Sequence, residues 1–452
     1  MKAVEDYVRS LGIDAYLVGG AVRDELLGLE SKDADFLVPG VDIPALRALL
    51  TPHGTVEDLV VAGRPVGVRL YPRAPEIRSL APAGIELAPP RRERSTGPGR
   101  HDFEIVVDPS ASVEVDLGRR DFTVNAMARH LGDGALVDPY GGRADLERRV
   151  LRTVRERSFA EDPLRVVRGL RLVSQLGFRP DEDTLRQMRE EAGAVALVSG
   201  ERLGGGLAAD GMGELSKLLL GREPREALRL ARDTGVLTAL LPAFGPALGV
   251  RTGADDDPTL DEHAFAAVQA AADAGFPLRV RLAALLHDLG RPAHGCAPEH
   301  AEAGARIADR ELRRLRYPNE LRERVVRIVR FHPFRPGAGD ALEARRLLAR
   351  HGDGLVLDLL DHWEADVRGG PADADREAKL AWIERFRRVV EAERESPHRL
   401  ADLAVDGTDL IALGYRQGPA LGAALDRLLE LVVEDPSLNR RETLLRRAQE
   451  LL

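Results

Sequence analysis

The amino-acid sequence predicts an α+β chain in which a mixed sheet with helices comes first and helices occupy the remainder. Three observations predict it. Up to about residue 145, short apolar runs of strand length are cut by Gly and Pro. From about residue 146, apolar residues recur at helical spacing, as in DPLRVVRGLRLVSQLGF, REALRLARDTGVLTALL and LRERVVRIVRF. Between two helical regions, RTGADDDPTLDE (251–262) has the acidic, Pro-bearing character of a linker.

The elements follow in order. AYLVGG (15–20) reads as a buried strand ending in a glycine turn, and AVRDELLG (21–28) as a helix ending at Gly28. DADFLVPG (33–40) is a second strand, and PVGVRLYP, GIELAPP and DFEIVVDP are further strands or strand ends. PRRERSTGPGR (90–100) reads as a basic loop, and GGGLAADGMG (204–213) as a loop inserted into a helical stretch. The expected domains are 1–145, 146–250 and 251–452.

A chain of 452 residues exceeds one ordinary domain. With 44% hydrophobic and 31% charged residues it has a soluble protein's composition. It has no apolar run of about 18 residues to span a membrane. Its start, MKAVEDYVRSLGIDAYLVGG, lacks the apolar core of a secretion signal, so a cytoplasmic location is expected. The single cysteine, Cys296, excludes an internal disulfide framework and a Cys-rich zinc site. The net charge of −9 weighs against a nucleic-acid partner, yet residues 306–350 hold thirteen Arg or Lys against six Asp or Glu. Such a stripe can grip phosphates, or it can simply be a solvated helix face.

Asp33 and Asp35 lie two apart on a predicted strand, so both carboxylates face one way, about 6.5–7 Å apart. That spacing suits a pair of hard divalent cations, with Mg2+ the natural occupant. Surface aspartates alone would give the same pattern. Context favours the metal: Gly19 and Gly20 precede a helix whose N-terminus can meet a triphosphate. Arg23 sits in that first turn, where a phosphate or a neighbouring Asp24 would offset its charge.

Glu161-Asp162-Pro163-Leu164-Arg165 opens a strong helical pattern, with Asp162 suited to the N-cap and Pro163 to the first helical position. Arg165 and Arg168 follow at three-residue intervals, near one face. These residues can be a cap with ion pairs. They can also read a base: cytosine and adenine each present an amino donor beside a ring-nitrogen acceptor, which a carboxylate and a guanidinium complement. Guanine and uracil present the reverse pattern. Asp162 and Arg165 would then select C and A without a template.

At this point LVGGAVRDELLG and KDADFLV resemble the signature of class II CCA-adding enzymes and bacterial poly(A) polymerases, in the polymerase-β-like nucleotidyltransferase superfamily. Arg119-Arg120-Asp121-Phe-Thr-Val-Asn125-Ala-Met resembles that family's RRD segment. Asp138-Pro-Tyr-Gly-Gly resembles its DPxGG turn, and Glu161-Asp162-Pro-Leu-Arg165 its nucleotide reader. The resemblance implies a nucleotidyltransferase head, a helical neck and addition of CMP then AMP to a tRNA 3′ end by two-metal in-line transfer. It further implies that Asp121 and Asn125 lie by the ribose and that loop 90–100 helps switch from C to A; Glu86, in GIELAPP, is a candidate third carboxylate near the metals or a surface residue. Two departures stand out: GGGLAADGMG interrupts the segment after Glu201-Arg202-Leu203, and Arg171 adds a further charge to the reader helix.

LAALLHDLGRP (282–292) sets His287-Asp288 in an apolar helix, where burial is costly unless metal or hydrogen bonds offset it. With His263, His300, His332 and Asp366, the order resembles the HD-domain phosphohydrolase superfamily, with Arg291 where lysine is common. It implies an α-helical HD domain and a possible divalent metal held by those six residues. Whether the domain hydrolyses phosphate esters or only binds tRNA stays open.

The expected partners are the tRNA 3′ end, CTP and ATP, with no membrane and no DNA. A poly(A) polymerase or an A-adding specialist would share the core motifs. The ending LLRRAQELL offers no basic tail for tracking long RNA. An HD phosphohydrolase with a merely nucleotide-binding N-terminal domain is the alternative of a different class, and the Asp33/Asp35 pair weighs against it.

Overall fold

A computed structural model describes residues 1–30, 35–61, 63–95, 103–205, 212–251, 258–295, 297, 299–371 and 375–452. Asp33 and Cys296 lie outside these residues, as do most of 204–213, the end of loop 90–100 and half of the 251–262 linker. The chain divides into two compact units: Met1–Gly245 with Leu312–Tyr317, and Pro246–Glu311 with Pro318–Leu452.

The first unit is built on a sheet of strands β1 (Tyr16–Val18), β2 (Asp35–Leu37), β3 (Gly54–Val61), β4 (Arg64–Pro72) and β5 (Ile85–Ala88), followed by a hairpin of β6 (Arg91–Ser95) and β7 (Phe103–Val107), and then β8 (Ala128–His130) and β9 (Leu136–Val137). The main sheet runs β3-β4-β5-β2-β1-β8-β9. Its central strands are short, and their Leu17, Phe36, Leu37, Ile85 and Leu87 are buried in the core. The sheet is mixed: β2 pairs parallel with β5 and antiparallel with β1.

Two expectations need correction here. Arg91–Ser95, read as loop, is a strand in register with β7, Arg91 opposite Val107 and Ser95 opposite Phe103. A polar segment can pair by its backbone alone, which an apolar-pattern reading overlooks. The linker reading of 251–262 also runs too far, since Leu260–Asp273 is helical and begins within it.

Helices complete this unit, notably Leu164–Leu176, whose Val166, Val167, Leu170 and Leu172 are buried. A π-helical turn, Glu201–Gly205, follows, and its backbone lies directly on Leu312–Tyr317. Gly205 N–H donates to Leu315 O at 3.0 Å, and a Cβ on Gly205 would stand 1.8 Å from Arg316 O. Glycine is required there by that close approach.

Among the described residues the second unit's named elements are all helices, joined by turns and an isolated bridge between Arg251 and Thr259. Several arginines of the basic window 306–350 that lie in this unit pair with carboxylates from outside the window. Arg324 pairs with Asp358, Arg330 with Glu302, Arg335 with Asp366, Arg345 with Glu393 and Arg346 with Glu434. Counting charges along a window misses such partners, so thirteen against six overstates its unpaired cationic charge.

Candidate functional site

In the first unit, a cavity of about 710 Å³ is lined by Gly20, Arg23, Asp35, Glu86, Asp116, Arg119, Arg120, Asp121, Asn125, Asp162, Arg165, Arg168, Arg171, Arg202 and Glu214, among others. Segments more than a hundred residues apart in sequence thus meet in one polar hollow. Asp35, the first residue of β2, is exposed, and its Cα partner on the parallel strand β5 is Glu86. Two carboxylates therefore stand side by side at the end of adjacent strands. Glu86 also pairs with Arg69.

Gly19 opens the Gly20–Leu26 helix with φ 74°, and a Cβ there would stand 2.5 Å from Arg120 Nη1. Positive φ and the arginine together account for the glycine. Arg23 bonds Asp24 Oδ1 at 2.8 and 2.6 Å and Asn125 Oδ1 at 2.6 Å. Its charge is thus already offset within the protein, and it falls in the last turn of this short helix rather than the first as expected, so its position does not demand a phosphate.

Asp121 gathers the RRD segment. Its Oδ1 accepts from the Phe122 N–H at 2.9 Å and Asn125 Nδ2 at 3.0 Å, and its Oδ2 accepts from Arg168 Nε at 2.8 Å. Burial alone would raise this carboxyl, but the Arg168 guanidinium and these hydrogen bonds hold it well below the usual range. Arg168 is raised in turn, chiefly by Asp121. Asp116, fully buried, binds Arg119 Nε at 2.8 Å and Arg120 Nη2 at 3.4 Å. Its burial raises the carboxyl, and Arg119 and Arg120 overcome that and lower it.

The Leu164–Leu176 helix starts beyond Pro163, which takes the N-cap place expected of Asp162. Asp162 Oδ1 still accepts from the Leu164 N–H at 3.1 Å. Arg202 then holds both Asp162 oxygens, Nη1 to Oδ1 at 3.3 Å and Nη2 to Oδ2 at 2.8 Å. Arg165 donates through Nη1 to Ser158 O at 3.3 Å and Ser158 Oγ at 3.0 Å, and through Nη2 to Arg119 O at 2.8 Å. Glu161 pairs with Arg155 at 2.8 Å and Arg165 at 3.4 Å. Arg171 pairs with Glu214 at 2.9 Å. Asp138 caps the Gly142–Arg148 helix by accepting from the Gly142 and Arg143 N–H groups at 2.7 and 2.9 Å.

The second unit brings His263, His287, Asp288, His300, His332 and Asp366 together. His287 and Asp288 follow the Leu278–Leu286 helix rather than lying inside it, which frees them to turn inward. Nδ1 of His287, His300 and His332 each meets a carbonyl three residues back, Ala284, Ala297 and Val329, at 2.9, 2.6 and 2.7 Å. A carbonyl only accepts, so Nδ1 carries the proton and Nε2 offers a lone pair to the cluster. His300 Nε2 and His332 Nε2 face each other at 3.0 Å. Two bare lone pairs at that distance call for a cation or a proton between them.

The donor set fits a divalent metal. His263, His287 and Asp288 form one group of converging ligand atoms; Asp288, His300 and His332 form a second. Asp288 Oδ2 faces His287 Nε2 at 3.3 Å and Oδ1 faces His332 Nε2 at 3.6 Å. His287 Nε2 and both Asp288 oxygens are buried without a directed hydrogen bond. Burial would lower His287, but Asp288 and Asp366 push it up to about 10, so a metal taking the Nε2 lone pair would displace a proton there. Arg291 pairs with Asp288 at 2.8 Å and Arg335 with Asp366 at 3.3 Å.

Four site residues were given no role by the sequence reading. Asp116 precedes Arg119 and Arg120 at helical spacing, and His362, buried 5.1 Å from the His287 ring, precedes Asp366 by one helical turn. Both were legible in principle. Arg202 and Glu214 flank the 206–211 segment; Arg202 stands in the family-like Glu201-Arg202-Leu203 segment, but nothing local there points to Asp162.

Comparison with known proteins agrees with this geometry. The poly(A) polymerase head domain model matches residues 15–152, the model described as a probable RNA and SrmB-binding site of polymerase A matches 177–248, and the HD domain model matches 261–366. The multifunctional CCA protein of Methylococcus capsulatus is 35% identical over 443 residues, spanning 92% of this chain and 93% of that protein. That of Neisseria gonorrhoeae is 37% identical over 334 residues, or 71% and 74%. The Bacillus stearothermophilus CCA-adding enzyme, solved with CTP, superposes with a TM-score of 0.66 at 25% identity, covering 99% of this chain and 95% of that one. The chain therefore belongs to the multifunctional CCA protein family, with a nucleotidyltransferase head of the poly(A) polymerase type and an HD domain.

Proposed function

We propose that the first unit adds the CCA end to tRNA from CTP and ATP, as the names of its relatives describe for them. The observation that carries this reading is the single cavity joining the strand-end carboxylates, the RRD segment and the Asp162/Arg165 reader. Asp33, Asp35 and Glu86 would hold two Mg2+ ions. When bound, such ions activate the primer 3′ oxygen and neutralise the departing pyrophosphate. Arg119, Arg120 and Arg23 would steer the triphosphate, and Asp121 with Asn125 would bind the ribose. Asp162 accepts from the exocyclic amino group of C or A while Arg165 donates to the ring nitrogen. The protein's own contribution is positioning and charge.

The HD cluster would hold a divalent metal and hydrolyse phosphate esters, with Arg291 and Arg335 near the substrate. Among the described residues no helix is long and apolar enough to cross a membrane, and a cytoplasmic site of action follows from a tRNA substrate. The test uses tRNA transcripts ending before CCA, after C and after CC, each with labelled CTP or ATP alone. CTP on the first two and ATP on the third is the expected pattern. ATP incorporation on the last primer only would select an A-adding specialist, and no incorporation would overturn the reading.

A further inference from the structure

The base reader is not free-standing. Asp162 Oδ1 receives the Leu164 N–H and Arg202 Nη1, and Oδ2 receives Arg202 Nη2. A carboxylate has roughly four acceptor positions, so these bonds leave it about one, on Oδ2. Which direction that last position faces is decided by Arg202, whose fork grips both oxygens and fixes the carboxylate plane.

Arg202 is itself held firmly. It sits in the π-helical turn Glu201–Gly205, a local geometry that recurs at functional sites. Gly205 N–H bonds Leu315 O, and Ser216 Oγ ties Gly204 O at 3.0 Å to the buried Tyr317 hydroxyl at 2.9 Å. A Cβ on Gly204 would stand 2.6 Å from the Tyr317 ring. The turn is clamped by these contacts, and among the described residues the carboxylate its arginine meets is that of Asp162.

We propose that Arg202 is a specificity-determining positioning residue, one that turns the last acceptor of Asp162 toward the exocyclic amino group of cytosine or adenine. The inference rests on the proposed role of Asp162 as base reader. Losing the fork lets Asp162 rotate, and a rotated carboxylate no longer distinguishes an amino donor from a carbonyl. Selectivity falls while the chemistry at Asp35 continues.

The experiment uses the full-length protein and a tRNA transcript ending after C, with kcat and KM measured separately for CTP and UTP. Arg202→Gln is expected to raise KM for CTP and cut the CTP:UTP preference about tenfold or more, with a smaller effect on kcat. Arg202→Lys, which keeps the charge without the fork, should restore only part of the preference. It also serves if the glutamine variant folds poorly. An arginine that merely supports the fold would lower both nucleotides equally, and an unchanged CTP:UTP ratio in either folded variant overturns the proposal. Asp162→Asn separates the two readings. If it collapses the preference while the Arg202 variants do not, only the Arg202 inference fails; if it too leaves the preference intact, the base-reader reading fails with it.

Discussion

Arg168 Nε stands 2.8 Å from Asp121 Oδ2, joining the reader helix to the RRD segment across 47 residues of sequence. Asp121 is only 6% exposed, so this carboxylate depends on its partner. Arg168→Ala should lower stability by about 2 kcal/mol, a buried-pair loss reduced for the arginine's partial exposure. Urea denaturation measures it, and KM for CTP should rise in parallel. Wild-type stability together with wild-type KM would contradict the role given to the pair.

Acid should act through the same carboxyls. Asp121 and Asp116 both lie below their unfolded value of about 3.9. Their contribution to stability is therefore complete above about pH 4 and is lost as pH falls below it, toward the folded values. Unfolding of the first unit should be flat between about pH 7 and 5 and weaken below 4. Asp121→Asn, less stable at neutral pH, should show a shallower acid decline, and an acid limb as steep as the wild type's would count against this linkage.

Asp35 and Glu86 stand opposite each other on parallel strands, and they should not be equivalent. Asp35→Ala should abolish incorporation. Glu86→Gln should retain activity with a Mg2+ midpoint moved up several-fold, since one of three proposed carboxylates is neutralised. A midpoint that does not move would leave Glu86 as the ion-pair partner of Arg69 alone.

The HD cluster has a built-in optical reporter. Both tryptophans of the chain are in the second unit, and the Arg335 guanidinium lies 4.8 Å over the Trp363 ring while pairing with Asp366. Trp382 packs 5.3 Å from Trp363. Divalent metal added to chelator-treated protein should draw Asp366 from Arg335 and change tryptophan emission saturably. Asp288→Ala should remove the change and leave CTP incorporation intact. Loss of incorporation in that variant would contradict two separate sites.

Much of this site was legible in the sequence because its residues lie in short, ordered segments. The glycine turn, the RRD segment, Asp162-Arg165 and the histidine series each carry a local pattern, and the structure gathers their described members into one cavity and one cluster. What escaped is what depends on long-range contact. Arg202 reaches Asp162 over 40 residues, and Glu214 reaches Arg171 from beyond the 206–211 segment. The β6 strand escaped because Arg91–Ser95 pairs by backbone while its sequence reads as a basic loop. In the basic window 306–350 a charge count along the chain misses the pairing carboxylates Asp358, Glu302 and Glu393, which come from elsewhere in the sequence.

The most direct measurement supplies the full-length protein with Mg2+, CTP, ATP and a tRNA transcript lacking its CCA end, and sequences the products. The account predicts growth that stops after C, C and A, with none from Asp35→Ala. Long A tails, or no extension by the wild-type protein, would contradict it.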